Sequence, residues 1–246
     1  CRRVFRRAAR PLHSDVRTNK ADLLVKAGDA RARVELGLSF DPKDEDLASC
    51  KLEVLLRNVR VDEALRFVQD HPDAHVHVAQ LGSLLRRERV NELRAVVQNA
   101  PRFTTNDTAL TERVPRLLDL APDLLPVLLK KLPPDEDIIP PLHALAHDLA
   151  MRDDPAKKDA AFVVFEAIFA RPLPSPESTA RENFLSAWNN ACIHAHAAKR
   201  FELAARLADR AQPFVPENPF IAHSAACAYV AVGARDKALG QVRLAI

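Results

Sequence analysis

Histidine and cysteine are the side chains here with the most chemistry to offer, and they cluster in two places. His143 and His147 stand four apart, a spacing that brings two imidazoles to one face of a helix, where they could bracket a metal ion. A zinc site needs three or four protein ligands, and the zincin pattern also needs a Glu directly after the first His. Ala144 occupies that position, so the pair reads as polar helix surface. The second cluster is Cys192, His194 and His196, followed by His223 and Cys227. A metal between His196, His223 and Cys227 would require two helices in close approach. The expected metal and cofactor content is none.

Catalytic patterns are missing from the rest of the chain. The five glycines, at 28, 37, 82, 233 and 240, are scattered and form no phosphate-cradling loop. No nucleophile elbow and no paired-carboxylate site stands out. The acidic runs Asp41 to Asp46 and Asp135 to Asp137 precede helical patterns, where carboxylates cap helices and favour their dipoles. The expectation is a chain that is not an enzyme.

The elements that would position these side chains are helices. Ala, Leu, Arg and Glu dominate, hairpin-turn signals are scarce, and no long alternating run suggests a strand. Thirty-six basic residues nearly balance thirty-three acidic ones, for a net charge of +3. That is far from the strongly basic balance of a nucleic-acid binder. The one basic run, Arg2, Arg3, Arg6, Arg7 and Arg10, alternates with Val4, Phe5, Ala8, Ala9 and Leu12 as in an amphipathic helix with a solvated outer face. Nucleic-acid binding through it is the less favoured reading. Cysteines at 1, 50, 192 and 227 lack a disulfide or metal spacing, which points to a reducing compartment and a cytoplasmic location. No apolar run is long enough to insert into a membrane. A lipid-bearing Cys1 would be followed by a flexible polar tether, unlike the helical pattern of Arg2 to Arg10. Because the chain opens on Cys1 and stops at Ile246 inside an amphipathic pattern, it reads as a piece of a longer protein.

Two internal periods organise the chain. From 44 to 101 the period is 29 residues: Leu52, Leu55, Leu56 and Arg57 recur as Leu81, Leu84, Leu85 and Arg86. Arg60, Val61, Glu63, Val68, Gln69 and Pro72 recur as Arg89, Val90, Glu92, Val97, Gln98 and Pro101. These read as two degenerate helix pairs with clipped helices, each ended by its proline. From 185 to 246 the period is 34 residues. It lays Ala191 on Ala225, Ala195 on Tyr229, Ala204 on Ala238 and Ala211 on Ala245. Between them, helices are predicted at Asn106 to Leu120, Pro122 to Leu132, Ile138 to Arg152 and Pro155 to Ala170, punctuated by LPPDED and RPLPSPES. The second of these turns, Arg171 to Ser178, is the best candidate for a kink, and no domain boundary stands out.

The C-terminal pattern resembles the tetratricopeptide repeat. Trp188 falls on the aromatic position of one repeat, Ala204 and Ala211 on its two alanine positions and Pro216 on the closing proline. The next repeat, truncated, offers Ala226, Tyr229, Gly233, Ala238 and Ala245. Cys192, Ala195, Lys199 and Ala222 depart from the pattern. The resemblance implies an all-α, right-handed α-solenoid of about seven antiparallel helix pairs, a single array over 1–246. It also implies a groove lined by first helices, with Asn189, Ile193, His196, Phe220, His223 and Cys227 along one surface and Cys192 turned into the packing. In one reading these residues bind a peptide or protein partner, with Phe220 as the apolar anchor. In the other they are ordinary solvated positions. The expected function is a protein-interaction scaffold. The alternative is a regulatory or substrate-recognition segment of a larger multidomain enzyme. A solenoid without polar end caps is also expected to self-associate through its ends.

Overall fold

The computed structural model describes residues 45–71 and 74–245. The arginine-rich segment, Cys1, Gly28, Gly37, Asp41, Pro72 and Asp73 lie outside them. The described chain is mostly helical, with twelve α-helices. They are α1 (Glu45–Arg57), α2 (Val61–Asp70), α3 (Gly82–Arg86), α4 (Val90–Asn99), α5 (Asp107–Leu120) and α6 (Leu125–Lys131). Then follow α7 (Ile139–Met151), α8 (Pro155–Phe169), α9 (Thr179–Ala197), α10 (Phe201–Ala211), α11 (Pro219–Ala231) and α12 (Arg235–Ala245). No helix among the described residues is long and apolar enough to cross a membrane.

The residues group into two compact units, one of 45–105 with 119–131 and one of 106–118 with 132–245. In the first, α1 packs on α2 and α3, and α4 on α2, α3 and α6. One departure from a purely helical reading occurs here. Val76–His77 and Phe103–Thr104 form a two-strand parallel ladder, so the first helix of the second 29-residue unit is shortened to a 3-10 turn, Val78–Leu81, and α3. The side chain of Lys131 closes the end of α4. Its Nζ donates to the carbonyls of Val97, Gln98 and Ala100 at 3.0, 2.6 and 2.7 Å, satisfying acceptors that a helix C-terminus leaves without partners.

One turn recurs four times, joining α1 to α2, α3 to α4, α9 to α10 and α11 to α12. Each has a residue in the left-handed region: Val59 (φ 60), Glu88 (φ 54), Lys199 (φ 58) and Gly233 (φ 75). The next residue donates its N–H five residues back, as Arg60 to Leu55, Arg89 to Leu84, Arg200 to Ala195 and Ala234 to Tyr229, at 2.9 to 3.0 Å. This is a Schellman closure that leads directly into a second helix. Glycine suits it, and a β-branched residue is the worst fit. Replacing Val59 with Gly is therefore expected to raise stability by about 1 kcal/mol, the relieved strain exceeding the added freedom of the unfolded chain. The check is a rise in the urea midpoint followed by circular dichroism.

In the second unit each helix from α7 to α12 packs on the next, and α9 packs on both α7 and α11. Alanines make this approach possible. Ala187, Ala191 and Ala195 of α9, Ala204, Ala208 and Ala211 of α10, and Ala222, Ala225 and Ala228 of α11 are fully buried, and a one-carbon side chain lets helices meet without a void. The aromatic core lies alongside. Trp188 stacks on Phe169, ring centroids 3.6 Å apart, with Phe184 and Phe214 around them.

Candidate functional site

The face built by α7, α9 and α11 starts from their N-termini. Ser178 Oγ accepts from the N–H of Ala180 and Asn218 Oδ1 from that of Phe220, while Pro219 opens α11 at a position where a missing N–H costs nothing. These caps fix where α9 and α11 begin, and so which residues line up across them.

Polar side chains lace the three helices together. Asn189 Oδ1 accepts from Ser224 Oγ at 2.6 Å, joining α9 to α11. His143 lies between two amides, Nδ1 at 3.0 Å from Asn183 Oδ1 and Nε2 at 2.9 Å from Asn190 Nδ2. An amide oxygen only accepts and an amide NH2 only donates, so His143 is neutral with its proton on Nδ1. His147 Nδ1 stands 3.2 Å from His194 Nε2. The contacts His143 to Asn190 and His147 to His194 share one sequence offset of 47 residues, as required of two helices running in the same direction. His194 also stacks on Phe165.

These contacts set the protonation chemistry. Burial pushes the His143 imidazole below its ordinary range, against a smaller upward pull from Asn183. Burial does the same to His194, and the neighbouring His147 and His143 add to it. Burial lifts the Cys192 thiol to about 12, so it is protonated and no nucleophile at neutral pH. For the histidines the folded state binds protons less readily than the unfolded chain. Their contribution to stability is complete above the unfolded value of about 6.5 and falls as pH drops through it towards the lower folded values. Urea midpoints are expected to fall between pH 7.5 and pH 5, with a shallower fall in His143→Gln and His194→Gln.

The residues singled out from the sequence have different placements. Phe220 is 72% exposed and Ile193 46%. His223 and Cys227 are exposed on the same side of α11 as Phe220. Asn189 is half-buried, its carboxamide oxygen engaged by Ser224. His196 is half-buried against Phe201 of α10, ring centroids 5.4 Å apart, so its ring covers the helix hairpin. Cys192 is buried. Sequence reasoning missed two side chains of the same character, Met151 at the end of α7 and Val230 on α11, 65% and 67% exposed. The heptad-like run Phe220, His223, Cys227, Val230 was the available signal for Val230.

Beside Phe220, between the N-terminal ends of α9 and α11, lies a cleft of 640 Å³ with Leu185 among its lining residues. Arg181 and Glu217 form a bidentate pair there, both contacts 2.7 Å. Among the described residues no group of three or more His, Cys, Asp or Glu side chains is arranged to hold a metal ion.

No protein-family model matches this chain, and no curated protein and no solved structure matches it.

Proposed function

We propose that this chain is a non-catalytic binding module, a tetratricopeptide-like right-handed array of helix pairs that holds a peptide or protein partner on the outer faces of α7, α9 and α11. The observation that carries it is that these helices leave apolar side chains in water: Phe220 and Val230 of α11, Met151 of α7 and Ile193 of α9, each about half exposed or more. Water-exposed aromatic and aliphatic groups on rigid elements are the anchors that dominate protein interfaces. The 34-residue alanine register and the recurring Schellman turn support the repeat assignment. Cys192 and Cys227 are free thiols, in keeping with a cytoplasmic setting.

The test is quantitative affinity capture with the wild-type chain and with the triple variant Ile193→Asp, Phe220→Ala, Val230→Asp. Substitutions at such exposed sites shift stability by only about 0.5 kcal/mol each, so helicity and melting serve as controls. A partner retained by the wild type and lost by the variant supports the binding face. The same proteins retained by both would remove it.

A further inference from the structure

Resting on that binding role, we propose that the cleft between the N-terminal ends of α9 and α11 takes a cationic peptide segment, a Lys or Arg side chain beside an apolar residue. The cleft volume of 640 Å³ falls within the range of small-ligand sites. Its charges decide the sign of the occupant. Glu177, Glu182 and Glu217 line it, and Arg181 is the one basic residue on the wall. Arg181 is already spent. Its Nε and Nη2 hold both oxygens of Glu217, and its Nη1 donates to the Pro174 carbonyl at 2.6 Å. Glu177 and Glu182 are exposed and neither has an ion-pair partner among the described residues.

Two helix N-termini border the same cleft, and their dipoles favour an anion by about half a unit charge each. Two full carboxylate charges outweigh them. Ser178 and Asn218 also occupy the amides of Ala180 and Phe220 with their own side chains, and Pro219 has no N–H to offer. An incoming ammonium or guanidinium group therefore meets a net negative charge.

Phe220 supplies the second half of the specificity. Its ring, 72% exposed at the cleft wall, can cover an apolar neighbour of the basic residue or receive the cation on its face. An acidic peptide would gain the apolar contact and lose on charge, so the site discriminates by sign.

Fluorescence anisotropy tests this with two short labelled peptides in a Gly/Ser frame. One carries lysine and arginine around a phenylalanine, and its twin carries glutamate in their place. The basic probe is expected to bind at least about tenfold more tightly than its twin, and to weaken as salt rises. Glu177→Gln with Glu182→Gln is expected to erase most of that preference, and Phe220→Ala to weaken the basic probe. Equal binding of the two probes, or an unchanged affinity in the double Gln variant, overturns the inference. If the acidic probe binds better and Phe220→Ala abolishes it, the binding face stands and the charge assignment falls. If neither probe binds while captured protein is still lost on substitution of Ile193, Phe220 and Val230, this inference fails alone. If that capture is also insensitive, the binding role fails with it.

Discussion

Replacing Trp188 with Ala is expected to lower the stability of the second unit by about 3–5 kcal/mol, the range for deleting a large buried aromatic side chain. Trp188 is 4% exposed and stacks on Phe169 at an interplanar angle of 9°. Phe214 lies against it from the turn after α10, and the Arg210 guanidinium sits 5.0 Å from the ring centroid. The indole thus joins α8, α9 and α10. Its removal leaves a cavity lined by rings that keep their rotamers and do not collapse to fill it. Trp188→Phe separates packing from polarity. It keeps an aromatic against Phe169 and removes an indole N–H that is buried with no hydrogen-bond partner, a group that costs about 1–3 kcal/mol when left unsatisfied. The Phe variant is expected to lose far less than the Ala variant. Urea unfolding followed by far-ultraviolet circular dichroism measures both. Equal losses would mean that the stack contributes little.

How much of this was legible in the sequence varies with the physical signal. The helices from Asp107 to Phe169 were readable because prolines mark their ends. Pro122 and Pro155 start helical segments and the LPPDED turn separates α6 from α7. The buried alanines of α9 and α10 were readable through their spacing. The left-handed residues were only partly so. Gly233 announces its conformation, whereas Val59 and Glu88 have no local preference for it and are related only by the 29-residue period. The short ladder at Val76 and Phe103 was not readable, because two residues are too few to show alternation and their pairing is set by tertiary contacts.

At the candidate site the limits came from pairing across helices. His147 and His194 each stand out in the sequence, yet their 47-residue offset matches neither the 29- nor the 34-residue period. The Pro-rich loop between α8 and α9 lengthens that interval, and Arg171 and Arg181 tie it down by donating to the Pro133 and Pro174 carbonyls. Exposure of Phe220 and Ile193 followed from the groove positions that the tetratricopeptide resemblance implies. The hydrogen bond from Ser224 to Asn189 and the stacking of His196 on Phe201 did not, because they depend on side-chain rotamers. The acidic cleft combines residues from two loops and two helices, and it shows only when these are brought together.

Ala204→Leu is the second large effect, expected to cost the second unit about 3 kcal/mol, at the upper end for overpacking. Ala204 is fully buried on α10, where the hairpin turn at Lys199 fixes the approach of α9 and α10. The N–H of Arg200 donates to Ala195 and that of Ala204 to Arg200, both at 2.9 Å. Three added carbons can be accommodated only by pushing a helix outwards, which would break the alanine contacts on both sides of α10. Arg206→Leu is the control. It places the same side chain on an exposed position of the same helix and is expected to stay within about 0.5 kcal/mol of wild type. The single tryptophan reports the transition directly, because Trp188 sits in the core joining α8, α9 and α10. If Ala204→Leu melts with the wild type, α10 has room to move, and alanine at this position does not set the spacing of the helices.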